Sequence, residues 1–109
     1  MESIGSLEEI VLMILLRNEK INSVDIAKEY EDALSKNISI PAIHVVLKRM
    51  EKKGWVKSKF GEPTAERGGR RKRIYWATTT AYQIVSELND VKVRLWNGVT
   101  KPSLEYVQV

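Results

Sequence analysis

The sequence predicts a mostly α-helical domain with one small β-hairpin, an α+β arrangement in the order α-α-α-β-β-α. Three observations point there. Three segments with helical apolar spacing come first, two short alternating runs follow, and one longer helical segment closes the pattern. The 109 residues make one domain, and an apolar fraction of 43% suffices for a packed core. A domain this small buries a modest share of its surface, so pairing with a second copy would add stability.

The first helix is expected to open at Ser6, an N-cap residue, with Glu8 and Glu9 where the helix dipole favours acids. Leu7, Ile10, Val11, Ile14 and Leu15 repeat at helical spacing. Leu12 and Leu16 broaden the stripe, so the helix should be buried on more than one side before ending near Arg17 and Asn18. The second helix should run from about Ser23 to Ser35, capped by Asn22 or Ser23. Val24, Ile26, Ala27, Tyr30 and Leu34 supply its apolar face, and Lys36 and Asn37 break it. The third begins after Ser39, with Pro41 in the first turn, where a missing N–H costs nothing. Ile43, Val46, Leu47 and Met50 form its buried stripe, Ala42, His44, Lys48, Arg49 and Lys52 lie exposed, and Gly54 stops it. Met13 and Met50 both read as core.

Trp55 to Phe60 alternates like a strand, a Gly- and Pro-containing loop spans Gly61 to Gly69, and Arg73 to Ala77 alternates again. A lone hairpin is marginal in water. It must lean on the third helix, with Trp55, Val56 and Tyr75 as the packing candidates. Thr78 or Thr79 caps a fourth helix, about 79–97, on which Ile84, Leu88, Val91 and Leu95 form a narrow heptad-like seam. Asn97 and Gly98 end it, and 98–109 reads as a tail. Three helices and a two-stranded hairpin make a winged helix-turn-helix. The second and third helices form the helix-turn-helix, and 55–77 is the wing. Residues 1–78 are the winged domain and 79–97 its C-terminal dimerisation helix.

The distribution of charge is more informative than the total of +4. Residues 52–73 carry nine Lys or Arg against Glu62 and Glu66, a net of +7, which leaves −3 elsewhere. Positive charge gathered in one segment attracts polyanions. There is no cysteine, hence no disulfide framework and no thiolate metal site. His44 is the single histidine and has no partners at ligand spacing, so neither a metal nor a cofactor is expected. No nucleophile–base pair and no Walker-type glycine loop is visible, which argues against an enzyme. The longest apolar run, Ile10 to Leu16, is far too short to span a bilayer, and the N-terminus is acidic. The expected place is the cytoplasm, with no membrane contact.

The chain resembles the PadR family of bacterial transcriptional regulators. The residues that carry the resemblance are Leu7-Glu8-Glu9-Ile10-Val11-Leu12, Ser39-Ile40-Pro41-Ala42-Ile43-His44 and Leu47 through Gly54. Most specific is Gly61-Glu62-Pro63 leading to Glu66-Arg67-Gly68-Gly69-Arg70-Arg71-Lys72-Arg73-Ile74-Tyr75. His44 departs from the aromatic often found there, and Ala77-Thr78 followed by Ala81 departs from a Leu-Thr and Gly pattern. The resemblance implies the short subgroup, in which the last helix and the first form a homodimer. The residues assigned to that interface are Leu7, Val11, Ile84, Leu88, Val91 and Leu95. It also implies that an aromatic residue between the paired helices can hold a small aromatic effector. Trp96 is the candidate, set against the plainer reading of a dimer-core or surface tryptophan.

The expected function is a sequence-specific regulator, by family habit a repressor, whose partner is double-stranded DNA. The third helix would enter the major groove. Ser39, Pro41, Ala42 and His44 are the base-proximal candidates, with Lys48 and Arg49 nearer the phosphates. On the wing, Gly69 allows close approach, and Arg70, Arg71 and Lys72 offer charge to a groove or backbone. The competing reading is a winged-helix protein-interaction module, since fold does not fix function.

Overall fold

A computed structural model of the chain describes residues 4–61 and 72–102. Among them the elements are α1 (Ser6–Leu16), β1 (Ile21–Asn22), α2 (Ser23–Leu34), α3 (Ile40–Lys52), β2 (Val56–Phe60), β3 (Arg73–Ala77) and α4 (Thr79–Trp96). The order expected from sequence holds, with one addition. β1 pairs antiparallel with β3, Ile21 opposite Tyr75 and Asn22 opposite Ile74, so the hairpin is part of a three-stranded sheet ordered β1-β3-β2. Two residues carry no alternation that could have marked them. β1 exists because Tyr75 and Ile74 lie beside it.

Local chemistry explains the boundaries. Gly5, not Ser6, caps α1, and the Glu8 carboxylate accepts from the Gly5 N–H at 3.0 Å, half of a capping box. Asn22 caps α2 by accepting from the Asp25 N–H, and Ser39 and Thr78 cap α3 and α4 by accepting from Ala42 and Ala81. Ser35 turns left-handed (φ 55°) and ends α2 at Leu34. Gly54 (φ 80°) adopts a conformation that favours glycine and reverses the chain after α3. Trp55 does not join the strand. Its N–H donates to the Met50 carbonyl and its own carbonyl accepts from the Thr78 N–H, so its backbone closes α3 and anchors the start of α4.

One core holds the helices and the sheet together. Val11, Leu12, Ile26, Ile43, Leu47, Met50, Trp55 and Val56 are essentially inaccessible, and Tyr75 and Ile21 close the core from the sheet. The three residues expected to seat the hairpin, Trp55, Val56 and Tyr75, are all buried. Met13 and Val24 are corrections. Both are exposed, because they lie on the sides of α1 and α2 opposite the buried Val11-Leu15 and Ile26-Ala27 positions.

Glu8 and Glu9 are buried, although acids in a first turn read as solvated dipole partners. Each has a lysine. Glu8 meets Lys53 at 3.1 Å, tying α1 to the end of α3, and Glu9 meets Lys92 at 2.6 Å, tying α1 to α4. Burial pushes the Glu8 carboxyl up. The Gly5 hydrogen bond, the Lys53 ammonium and the Arg49 charge outweigh that and hold it below the usual glutamate value.

On α4 only Ala81 and Val85 are buried. The predicted seam turns outward toward its C-terminal end: Ile84 packs in part against the core, Leu88 and Val91 are half-buried, and Leu95 is 70% exposed. Val11, assigned to the same interface from sequence, is a correction. It is 0% exposed within the protomer and has no surface to offer a second copy, whereas Leu7 and Ile10 are half-buried. No helix among the described residues is long and apolar enough to cross a membrane.

Candidate nucleic-acid interface

α3 is the element on which the site is built. Ile43, Val46, Leu47 and Met50 bury one side of it. The opposite side carries Pro41, Val45, Lys48 and Lys52, all exposed, at spacings of four, three and four that align them along one stripe. Ser39, at the cap, and His44 are exposed, and Ala42 is half-buried. Arg49 lies on the flank toward α1, where its charge acts on Glu8. The sequence-assigned residues therefore split. Pro41 and Lys48 lie in the centre of the outward face, His44 on its wing side, and Ala42 and Arg49 on the other. Val45, at the centre, lies one residue beyond the base-proximal candidates Ser39 to His44, which came from the first turns of the helix. The 41/45/48/52 spacing would have found it.

The wing side is fixed by short contacts. β2 and β3 pair from Val56–Ala77 to Phe60–Arg73, which places Ser58, Phe60, Arg73 and Tyr75 on the face toward α3. Ser58 donates to the Glu51 carboxylate at 3.0 Å, and Arg73 Nε donates to Ser58 Oγ at 3.0 Å. The Arg73 guanidinium also lies 4.9 Å from the Phe60 ring. Arg73 thus braces the hairpin against α3. Tyr75 Oη and His44 Nδ1 are 3.4 Å apart, and the two rings meet edge to face. Burial raises the Tyr75 phenol pKa, Arg73 works against that and Glu51 with it, so the hydroxyl stays protonated. His44, Lys48, Glu51, Arg73 and Tyr75 line a depression of about 370 Å³ at this junction.

At the base of the wing loop the Gly61 N–H donates to the Lys72 carbonyl at 2.7 Å. A Cβ on Gly61 would come within 2.7 Å of Ile74 Cδ1, so glycine allows the two strands to close there. Lys72 is exposed. Gly69, Arg70 and Arg71, expected to contact DNA, lie outside the described residues. No group of His, Cys, Asp or Glu among the described residues could hold a metal ion.

The penicillinase repressor family model matches residues 4–99. The chain belongs to the penicillinase repressor family. Its members are DNA-binding transcriptional regulators, not enzymes, and that is the class of this chain. Among curated proteins none matches the sequence. Solved structures share the fold and bear out the PadR resemblance at that level. A PadR family regulator from Eggerthella lenta is 20% identical, with 86% of this chain and 78% of that one covered, at a TM-score of 0.68. One from Clostridium difficile is 22% identical, with 85% and 92% covered, at 0.66. Bacillus subtilis PadR, solved in complex with operator DNA, is 17% identical, with 91% and 51% covered, at 0.64.

Proposed function

We propose that this penicillinase repressor family member represses transcription by binding an inverted-repeat operator as a homodimer. The observation that carries the reading is the outward stripe of α3. A capped helix is held by its apolar side on the core and presents Pro41, Val45, Lys48 and Lys52 away from it, with the braced wing alongside. That is the shape and charge a helix needs to enter the major groove with phosphates at its flanks. The family description, a repressor, supports the direction of regulation, and the operator complex of Bacillus subtilis PadR supports the ligand.

The homodimer is supported by the apolar seam of Ile84, Leu88, Val91 and Leu95, which finds no cover within the protomer toward its C-terminal end. Two-fold symmetry then sets half-site centres about 10 bp, or a multiple, apart. A small aromatic effector is supported by an open apolar depression of about 510 Å³ at the end of α4, lined by Lys92, Val93, Leu95, Trp96 and Val99. Fluorescence quenching by aromatic compounds that disappears in Trp96→Ala supports that site. No quenching by a broad panel removes it.

The test of the whole reading is fluorescence anisotropy with duplex from the gene's own upstream region and a scrambled duplex, across a salt series. A specificity ratio of about a thousand or more at physiological salt supports an operator-binding regulator. Equal, weak binding that vanishes with salt argues against it and moves the interaction-module reading ahead.

A further inference from the structure

We propose that Val45, flanked by Pro41, reads the 5-methyl group of a thymine in the major groove, an inference that rests on α3 being the recognition helix. Single exposed apolar residues on a surface are ordinary. Val45 differs in its place. It is 57% exposed at the middle of the outward stripe of α3, one turn from Pro41 on one side and from Lys48 on the other, with Lys52 beyond. The buried positions Ile43, Val46, Leu47 and Met50 fill the other side of the helix, so no fold within the protomer calls for an apolar residue there.

The chemistry selects the base. Val45 has neither donor nor acceptor. Pressed against guanine or adenine N7, guanine O6 or the cytosine amino group, it would strip water from a polar atom and give nothing back. The thymine methyl is the apolar group on the major-groove edges of the four bases, and burying it against Val45 costs no hydrogen bond. A β-branched side chain in a helix is held in one χ1 rotamer, so little side-chain freedom is lost on contact. Lys48 and Lys52, on the same stripe, supply the charge that brings the helix to the duplex without dictating sequence.

The experiment selects duplexes from a random library with the full chain. Each thymidine of the tightest duplex is then replaced, one position at a time, by deoxyuridine, and affinity is read by anisotropy at fixed salt. Deoxyuridine removes the methyl and leaves every hydrogen-bonding atom. The expected result is one position per half-site at which it weakens binding about fourfold, the value of one buried methyl. Val45→Ser, a surface change, should retain the wild-type circular dichroism and bind both duplexes equally. Lys48→Ala should weaken both and keep their ratio. Wild-type protein that is indifferent to deoxyuridine everywhere, or an undiminished difference in Val45→Ser, overturns the role of Val45 alone. Failure to enrich any duplex overturns the regulator reading, and this inference with it.

Discussion

The core formed by α1, α3 and the sheet and the C-terminal half of α4 are built on opposite terms. In the core, Val11, Leu12, Ile43, Leu47, Met50 and Trp55 are sealed by one another, and even the carboxylates of Glu8 and Glu9 are provided with lysines. On α4 beyond Val85, apolar residues of the same kinds stay uncovered: Val93 at 49%, Leu95 at 70% and Trp96 at 71% exposed. The hydrophobic effect makes no distinction between them, so the difference lies in what each region is for. A sealed region can hold α3 rigid. An unsealed one has affinity to spend on something outside the protomer.

The largest effect should separate the two regions. Trp55→Ala empties the centre of the core and should cost about 3–5 kcal/mol in urea unfolding. Leu95→Ala should do little to a protomer. Its effect, about tenfold to a hundredfold, should fall on the dimer dissociation constant measured by sedimentation. If Leu95→Ala instead lowers stability independently of protein concentration, the comparison is broken.

The outward side of α3 is the sealed region's exposed face. Lys48→Ala with Lys52→Ala should reduce the slope of log affinity against log salt by about two, one per phosphate contact, with no change in unfolding. Thr78 joins the regions. Its hydroxyl donates to the Gly54 carbonyl and accepts from the Ala81 N–H, so Thr78→Ala should cost about 1 kcal/mol in urea unfolding.

The smallest effect is the pH dependence of the Glu8 link. The folded carboxyl titrates below its ordinary value of 4.5, so in acid the unfolded chain takes up the proton first. The stabilisation is whole above that value and is lost as pH falls through the lower folded one. Glu8→Gln should flatten the acid limb of stability against pH. An unchanged limb would assign acid unfolding to other groups.

Much of this was legible in the sequence. The strand at 73–77 and the extent of α4 follow from alternation and from threonine before a periodic run, both local signals. β1 was not legible, because a two-residue strand is made by its neighbour. Buried Glu8 and Glu9 were hidden for the same reason: their lysines lie 45 and 83 residues away. Val45 was legible in the 41/45/48/52 spacing, but it stands just past the first turns of α3, from which the base-proximal candidates were drawn. Val11 was assigned to the interface because α1 is apolar nearly all round, and a periodicity of 3.6 cannot rank which side of such a helix faces the core.

The most direct measurement is the stoichiometry of the complex, by sedimentation of the chain with a selected operator duplex and with one half-site alone. Two chains per operator, with the half-site bound far more weakly, is the predicted result. One chain binding a half-site as tightly as the operator would contradict it and return the exposed end of α4 to some other partner.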